Sequence, residues 1–150
     1  TDTERSRQEW VQAIRDALTW LGLEWDEEYR QSERADRYQA AIDQLLASGD
    51  AYECFCTQEQ LDERAAAAKT EGRAPGYDGT CRDLSEAQRE DLRAQGATVT
   101  VRFKVPRVGV STFTDIIRGD VSVAWDTIAD FVIRRSSGEA LLRRERCRRL

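Results

Sequence analysis

Cys54, Cys56 and Cys81 lie in two short stretches, AYECFC at 51–56 and GYDGTCRD at 76–83, of a chain with four cysteines and no histidine. A strand sends alternate side chains to one face, so Cys54 and Cys56 share a side. A third thiol from a turn-rich loop can meet them there. Three converging thiolates make most of a zinc site, because Zn2+ takes four ligands, mostly Cys and His, in a tetrahedron. Without histidine, the fourth ligand has to be oxygen or water. Two side chains beside Cys81 offer oxygen: Asp83, two residues after it, and Tyr77, four before it. Carboxylate is the more usual zinc oxygen ligand and phenolate the rarer one. The same cysteines also read as ordinary buried thiols, which are common. A disulfide is the weaker alternative, since nothing marks the chain as secreted.

The surrounding elements must bring that strand and that loop together. Trp10, Val11, Ile14, Leu18 and Leu21 mark one face of a first helix, with Gly22 as its stop. Ser32 is the expected cap of a second, which carries Tyr38, Ile42, Leu45 and Leu46 on one face and ends near Gly49. AYECFC then has strand composition. Thr57-x-x-Gln60 is a capping box that opens a helix through Ala65–Ala68 to Gly72, and Ser85-x-x-Gln88 is a second, whose helix ends at Gly96. TVTVRFKVP alternates from Thr98 to Val105 as a half-buried strand stopped by Pro106. Two short strands follow, turning at Arg118-Gly119-Asp120, and DFVIRR forms another, closed by the SSG turn. Residues 50–128 thus read as a compact α+β insert between parts of an α/β unit.

Arg102, Lys104, Arg107 and Arg118 cluster on or near these strands. Arg102 and Lys104 share a face by alternation, which makes a phosphate-facing edge one reading and a solvated basic edge the other.

Composition bounds the class. Of 150 residues, 40% are hydrophobic and 34% charged, with two prolines, as in a helix-rich globular chain rather than a disordered one. No apolar run reaches the roughly 18 residues that span a membrane. The start, TDTERSRQEW, has no apolar stretch of a secretory signal. The chain has no methionine, so an internal piece of a longer protein is expected. Charge is uneven: residues 1–50 carry 6 basic against 12 acidic side chains, 51–100 carry 6 against 10, and 101–150 carry 11 against 6. The final excess rests mainly on the tail RRERCRR, with five arginines and one glutamate. A net charge of −5 argues against indiscriminate polyanion binding without excluding local contact.

Seven ordered stretches resemble the bacterial glutamyl-tRNA synthetases: TDTERS, YRQSERADRY, LLASGDAYECFCT, YDGTCRDLS, VRFKVP, FTDIIRGDV and DFVIRRSSG, together covering residues 1–138. The resemblance implies an α/β fold, a partial class I Rossmann catalytic domain carrying an inserted α+β connective domain. Residues 1–48 would belong to the first Rossmann half and 49–128 to the connective, acceptor-stem-binding insert. Residues 129–138 would be the return strand. It implies ATP-dependent joining of glutamate to tRNA-Glu through a glutamyl-adenylate, with Mg2+, in a cytoplasmic monomer. The HIGH and KMSKS motifs of the family lie outside this chain, so no residue here is assigned to catalysis. Cys54, Cys56 and Cys81 match three ligands of a structural Zn2+. Where other members have the fourth, a histidine two residues after the last cysteine, this chain has Asp83. In the related glutamyl-queuosine tRNA-Asp synthetases a tyrosine four residues before that cysteine serves, and Tyr77 matches it. That enzyme, and a stand-alone zinc-stabilised RNA-binding module, are the alternative readings.

After Gly138 the resemblance fails. The family continues with a tyrosine-containing strand and A-N-V-V-D-D or similar, whereas this chain reads EALLRRERCRRL. Codons for Arg144 through Leu150, read one nucleotide later, permit A-N-V-V-D-D. Residues 139–150 are therefore expected to be a frameshifted tail, in which Cys147 is no ligand and the arginines no nucleic-acid arm.

Overall fold

The computed structural model describes residues 7–72 and 76–141. TDTERS, residues 73–75 at the start of the RAPGYDG stretch, and most of the proposed frameshifted tail, with Cys147, lie outside the described residues.

Helix α1 (Gln8–Trp20) starts without a side-chain cap, and the chain leaves it through Gly22 at φ +70. Its apolar stripe stays open: Trp10, Ile14, Trp20 and Leu21 are all exposed. Ser32 does not cap the second helix as expected. It falls inside a single 3-10 turn, Gln31–Glu33, and α2 (Ala35–Ser48) begins after Arg34 with no side-chain cap. A short turn ahead of the helix consumed the residue that the pattern assigned to its start. α2 ends at Gly49, at φ +81, where a left-handed backbone suits glycine.

Both capping boxes form as their spacing dictates. Thr57 accepts from the Gln60 amide while Gln60 reaches back to the Thr57 N–H, opening α3 (Gln58–Thr70). Ser85 and Gln88 do the same for α4 (Glu86–Ala94).

β1 (Ala51–Cys54), β2 (Thr100–Phe103) and β5 (Phe131–Arg134) form an antiparallel sheet in the order β1-β2-β5. The expected 98–105 strand is therefore shorter, and Lys104 lies just beyond it. β5, where the return strand was expected, pairs directly with β2, so one sheet runs across residue 128. Its register slips between Val101 and Arg102, whose partners are Arg134 and Val132; the extra residue is Ile133. After β5 a turn brings Leu141 N–H to Ile133 O at 2.8 Å, so the first residues past Gly138 still pair with the sheet.

A separate ribbon pairs β3 (Val110–Asp115) with β4 (Gly119–Ala124). Its turn comes two residues earlier than expected, at Ile116-Ile117-Arg118. Asp115 accepts from the Ile117 and Arg118 N–H groups, both at 2.8 Å, which closes the loop before Asp120.

The two faces of the three-stranded sheet differ. On one, Ala51 and Val101 pack with Ile42 of α2, joined by Leu45, Leu46 and Ile133. Burying a side chain such as Val101 fully contributes roughly 1.5–3 kcal/mol. On the other face Tyr52 and Cys54 pack with Cys81, bordered by Cys56, Tyr77 and Leu84.

Candidate metal centre and its supports

Alternation along β1 places Tyr52 and Cys54 on the face away from α2, and Cys56 follows where the strand has ended, just before the Thr57 cap. The opposing side comes from the 76–83 loop. There Asp78 Oδ1 accepts from the Thr80 N–H at 3.1 Å and its hydroxyl at 2.6 Å, and Arg82 N–H donates to Gly79 O at 2.8 Å. This folded loop delivers Cys81 to the strand. The Sγ atoms of Cys54, Cys56 and Cys81 all lie within 4.8 Å of one another, and Cys56 and Cys81 approach to 3.6 Å. None of the three is in a disulfide.

Beside the three sulfurs stands a phenol. Tyr77 Oη lies 3.4 Å from Cys54 Sγ and 3.9 Å from Cys56 Sγ, and it accepts from the Cys81 N–H at 2.9 Å. Asp83 points elsewhere. Its side chain is 73% exposed and faces Arg107, with 3.6 Å between Oδ2 and Nη2. Residues 80–83 form a turn, and in a turn residues two apart do not share a side as they do in a strand. Three sulfurs and one oxygen fit the donor chemistry of Zn2+.

The electrostatics favour one negative charge before any metal is considered. The Cys54 thiol is pulled down to about 4, chiefly by its hydrogen bond with Cys81, with burial opposing and Tyr77, the Cys56 backbone and Arg102 helping. Cys81 is pushed up by that same bond and by burial. Tyr77 is pushed up by burial and by its bond to Cys54, which holds the phenol neutral.

Arg102 lies opposite Tyr52 in the β1–β2 register, on the cysteine face. It is 7% exposed, its guanidinium sits 3.7 Å from the centroid of the Tyr77 ring, and Nη1 donates to Asp130 O at 3.1 Å. Burial withdraws it from the basic edge proposed from strand alternation. Lys104 is half-buried, and its N–H donates to Asp50 O at 2.7 Å. Arg107 and Arg118 are exposed, so of the four basic residues these two lie open. Arg107 also lines an open cleft of about 690 Å³ with Tyr77, Arg82 and Trp125.

Three supports escaped the sequence. Asp130, just ahead of β5, accepts from Tyr52 Oη at 2.6 Å, from Arg82 Nη1 at 2.6 Å and from the Val105 N–H at 2.9 Å. Arg82 follows Cys81 directly, so the loop is tied to β5 through this carboxylate. Arg64 on α3 points Nη1 at Cys56 Sγ at 3.3 Å. An acidic residue heading an apolar strand was the visible cue for Asp130; Arg64 gave none beyond its position two helical turns past the cysteine.

The chain is similar along its length to tRNA-charging enzymes. It is 44% identical to the glutamate–tRNA ligase of Symbiobacterium thermophilum, over 94% of this chain and 31% of that protein. It is 45% identical to that of Hydrogenobaculum sp., over 94% and 30%. Among solved structures, the glutamate-tRNA synthetase of Elizabethkingia anophelis superposes with a TM-score of 0.79 at 32% identity, covering 94% of this chain and 32% of that one. These neighbours place the fold among the aminoacyl-tRNA synthetases. More specifically, residues 1–139 match the family model of the catalytic domain of class I tRNA synthetases (E and Q), and the chain belongs to that family. It spans about three tenths of the length of the curated relatives it matches. Among the described residues, no helix is long and apolar enough to cross a membrane.

Proposed function

We propose that this chain is part of a glutamate–tRNA ligase, which attaches glutamate to tRNA-Glu through a glutamyl-adenylate, using ATP and Mg2+. The observation that carries the reading is the similarity at 41–45% identity to relatives that all bear that name. That agreement does not favour the glutamyl-queuosine enzyme. Residues 1–48 and 129–138 act as parts of the Rossmann catalytic domain, and 49–128 as the connective insert that handles the acceptor end of tRNA, in a cytoplasmic monomer. Of the four basic candidates, Arg107 and Arg118 are the ones open enough to meet phosphate. Positioning and phosphate electrostatics are the main work of such an enzyme, and an insert serves by holding the acceptor end still.

Cys54, Cys56, Cys81 and Tyr77 would hold a structural Zn2+, tying β1 to the 76–83 loop. A small insert with little core of its own gains most from such a tie. Asp83, the ligand first expected, would have to leave Arg107 and reverse its direction. For Tyr77, the phenol already stands among the sulfurs.

The test is a charging assay with the product of the complete gene, using ATP, labelled glutamate and either tRNA-Glu or queuosine-bearing tRNA-Asp. Transfer to tRNA-Glu is expected. Transfer to tRNA-Asp alone, or none to either, removes the reading.

A further inference from the structure

Three thiolates around a dication leave one negative charge, and a phenolate fourth donor leaves two. A half-buried site concentrates that charge in poor solvent, where uncompensated charge is costly. Two arginines approach the cluster from different elements. Arg102 comes from the sheet, stacked on the Tyr77 ring and fixed in the core, with Nε lacking a hydrogen-bond partner among the described residues. Arg64 comes from α3 and spans two parts of the site, with Nη1 3.3 Å from Cys56 Sγ and Nε 3.6 Å from Asp78 Oδ2. Asp78 is the residue that shapes the turn between Tyr77 and Cys81 through Thr80. One guanidinium therefore joins Cys56, one of the two donors on the strand side, to the loop that carries the other two.

We propose that Arg64 is a working member of the metal centre: it offsets the negative charge of the donor set and holds Cys56 in register with the Tyr77–Cys81 loop. The inference rests on the zinc reading given above. Arg102 supplies the matching charge but is built into the core, where its replacement would also cost packing. Arg64, with a side chain 35% exposed on a helix surface, can be changed with α3 intact. Groups that orient and polarise metal ligands without touching the metal commonly contribute about 10–100-fold in affinity.

The experiment is competition for Zn2+ between the purified chain and a chromogenic chelator. Arg64→Gln is expected to weaken binding about 10–100-fold. Arg64→Lys, which keeps the cation, should recover most of that loss. Arg64→Met keeps the aliphatic stem on α3 and is the second uncharged variant; circular dichroism of the metal-free forms confirms that each retains its helices. Affinity unchanged in both uncharged variants overturns the proposal, as does a loss equally large in Arg64→Lys. Failure of the parent chain to take up zinc would instead remove the metal reading beneath it.

Discussion

Arg82 Nη1 stands 2.6 Å from Asp130 Oδ1, with both side chains almost wholly withdrawn from water. The pair joins the residue after Cys81 to the residue before β5. Removing one member of a buried pair strands the other charge, at a cost of about 3–5 kcal/mol. Asp130→Ala also strands Tyr52 Oη and the Val105 N–H. It should shift the chemical denaturation midpoint strongly downward, whereas Arg107→Ala, at an exposed pair, should leave it within about 0.5 kcal/mol of the parent. Similar midpoints for the two variants would show that the buried pair carries no such weight.

Tyr77 and Asp83 are separable by substitution. Tyr77→Phe removes the oxygen among the sulfurs and should lower zinc retention under dialysis against a chelator, with metal measured by elemental analysis. Asp83→Asn should retain metal as the parent does. The reverse pattern would restore Asp83 as the ligand.

Cys81→Ser should lose bound zinc and also loosen the 76–83 loop, because hydroxyl oxygen is a much poorer zinc donor than thiolate. Hydrogen exchange should then quicken at the Cys81 and Arg82 amides, while α2 and Val101, on the other side of the sheet, keep their protection. Uniform quickening throughout would mean that the cluster supports the whole fold instead.

Burial, reinforced by the bond to Asp130, pushes the Tyr52 phenol well above its ordinary value. The folded state therefore favours the protonated form. Its stability contribution is full below the unfolded value of about 10 and is lost as pH rises beyond it. Thermal unfolding followed from pH 8 to 11 should show a steep alkaline decline. Tyr52→Phe should be less stable at pH 8, by about 1–3 kcal/mol for the stranded Asp130 oxygen, but flatter above pH 10. A parent-like slope in the variant would place the alkaline sensitivity elsewhere.

Gly109 has φ +124, and a Cβ there would meet the Trp125 ring at 3.2 Å. Gly109→Ala should therefore destabilise the chain by about 1–3 kcal/mol and alter Trp125 fluorescence. An unchanged spectrum and midpoint would show that the ring yields freely.

Features governed by local chemistry were legible in the sequence. Thr57/Gln60 and Ser85/Gln88 each encode a closed hydrogen-bond exchange over three residues, and both formed. The convergence of Cys54, Cys56 and Cys81 was one reading of their spacing, beside that of ordinary buried thiols, and the strand alternation behind it reaches only Cys54, because β1 ends before Cys56. What depended on direction in space was not. Asp83 was expected on the side of Cys81 from an extended-chain assumption, but the 80–83 turn points it at Arg107. Arg102 was expected with Lys104 on a basic edge, phosphate-facing or solvated, but it is buried. Its burial follows from pairing opposite Tyr52, with Asp130 O and the Tyr77 ring replacing water. Ser32 had the right chemistry for a cap, but the preceding 3-10 turn took it.

The two faces of the β1-β2-β5 sheet carry incompatible chemistry: aliphatic carbon under α2 on one, and sulfur, phenol and guanidinium on the other. Strand side chains repeat every two residues, so a one-residue shift moves each to the opposite face. Deleting a single residue ahead of Tyr52 would send the thiol and phenol of β1 beneath α2 and turn Glu53 toward the cysteines' former place. A substitution in β1 acts on one face of the sheet, whereas a single-codon deletion would dismantle the aliphatic core and the cysteine cluster together. Tolerance of this segment to change is therefore set by its length as well as by the identity of its residues.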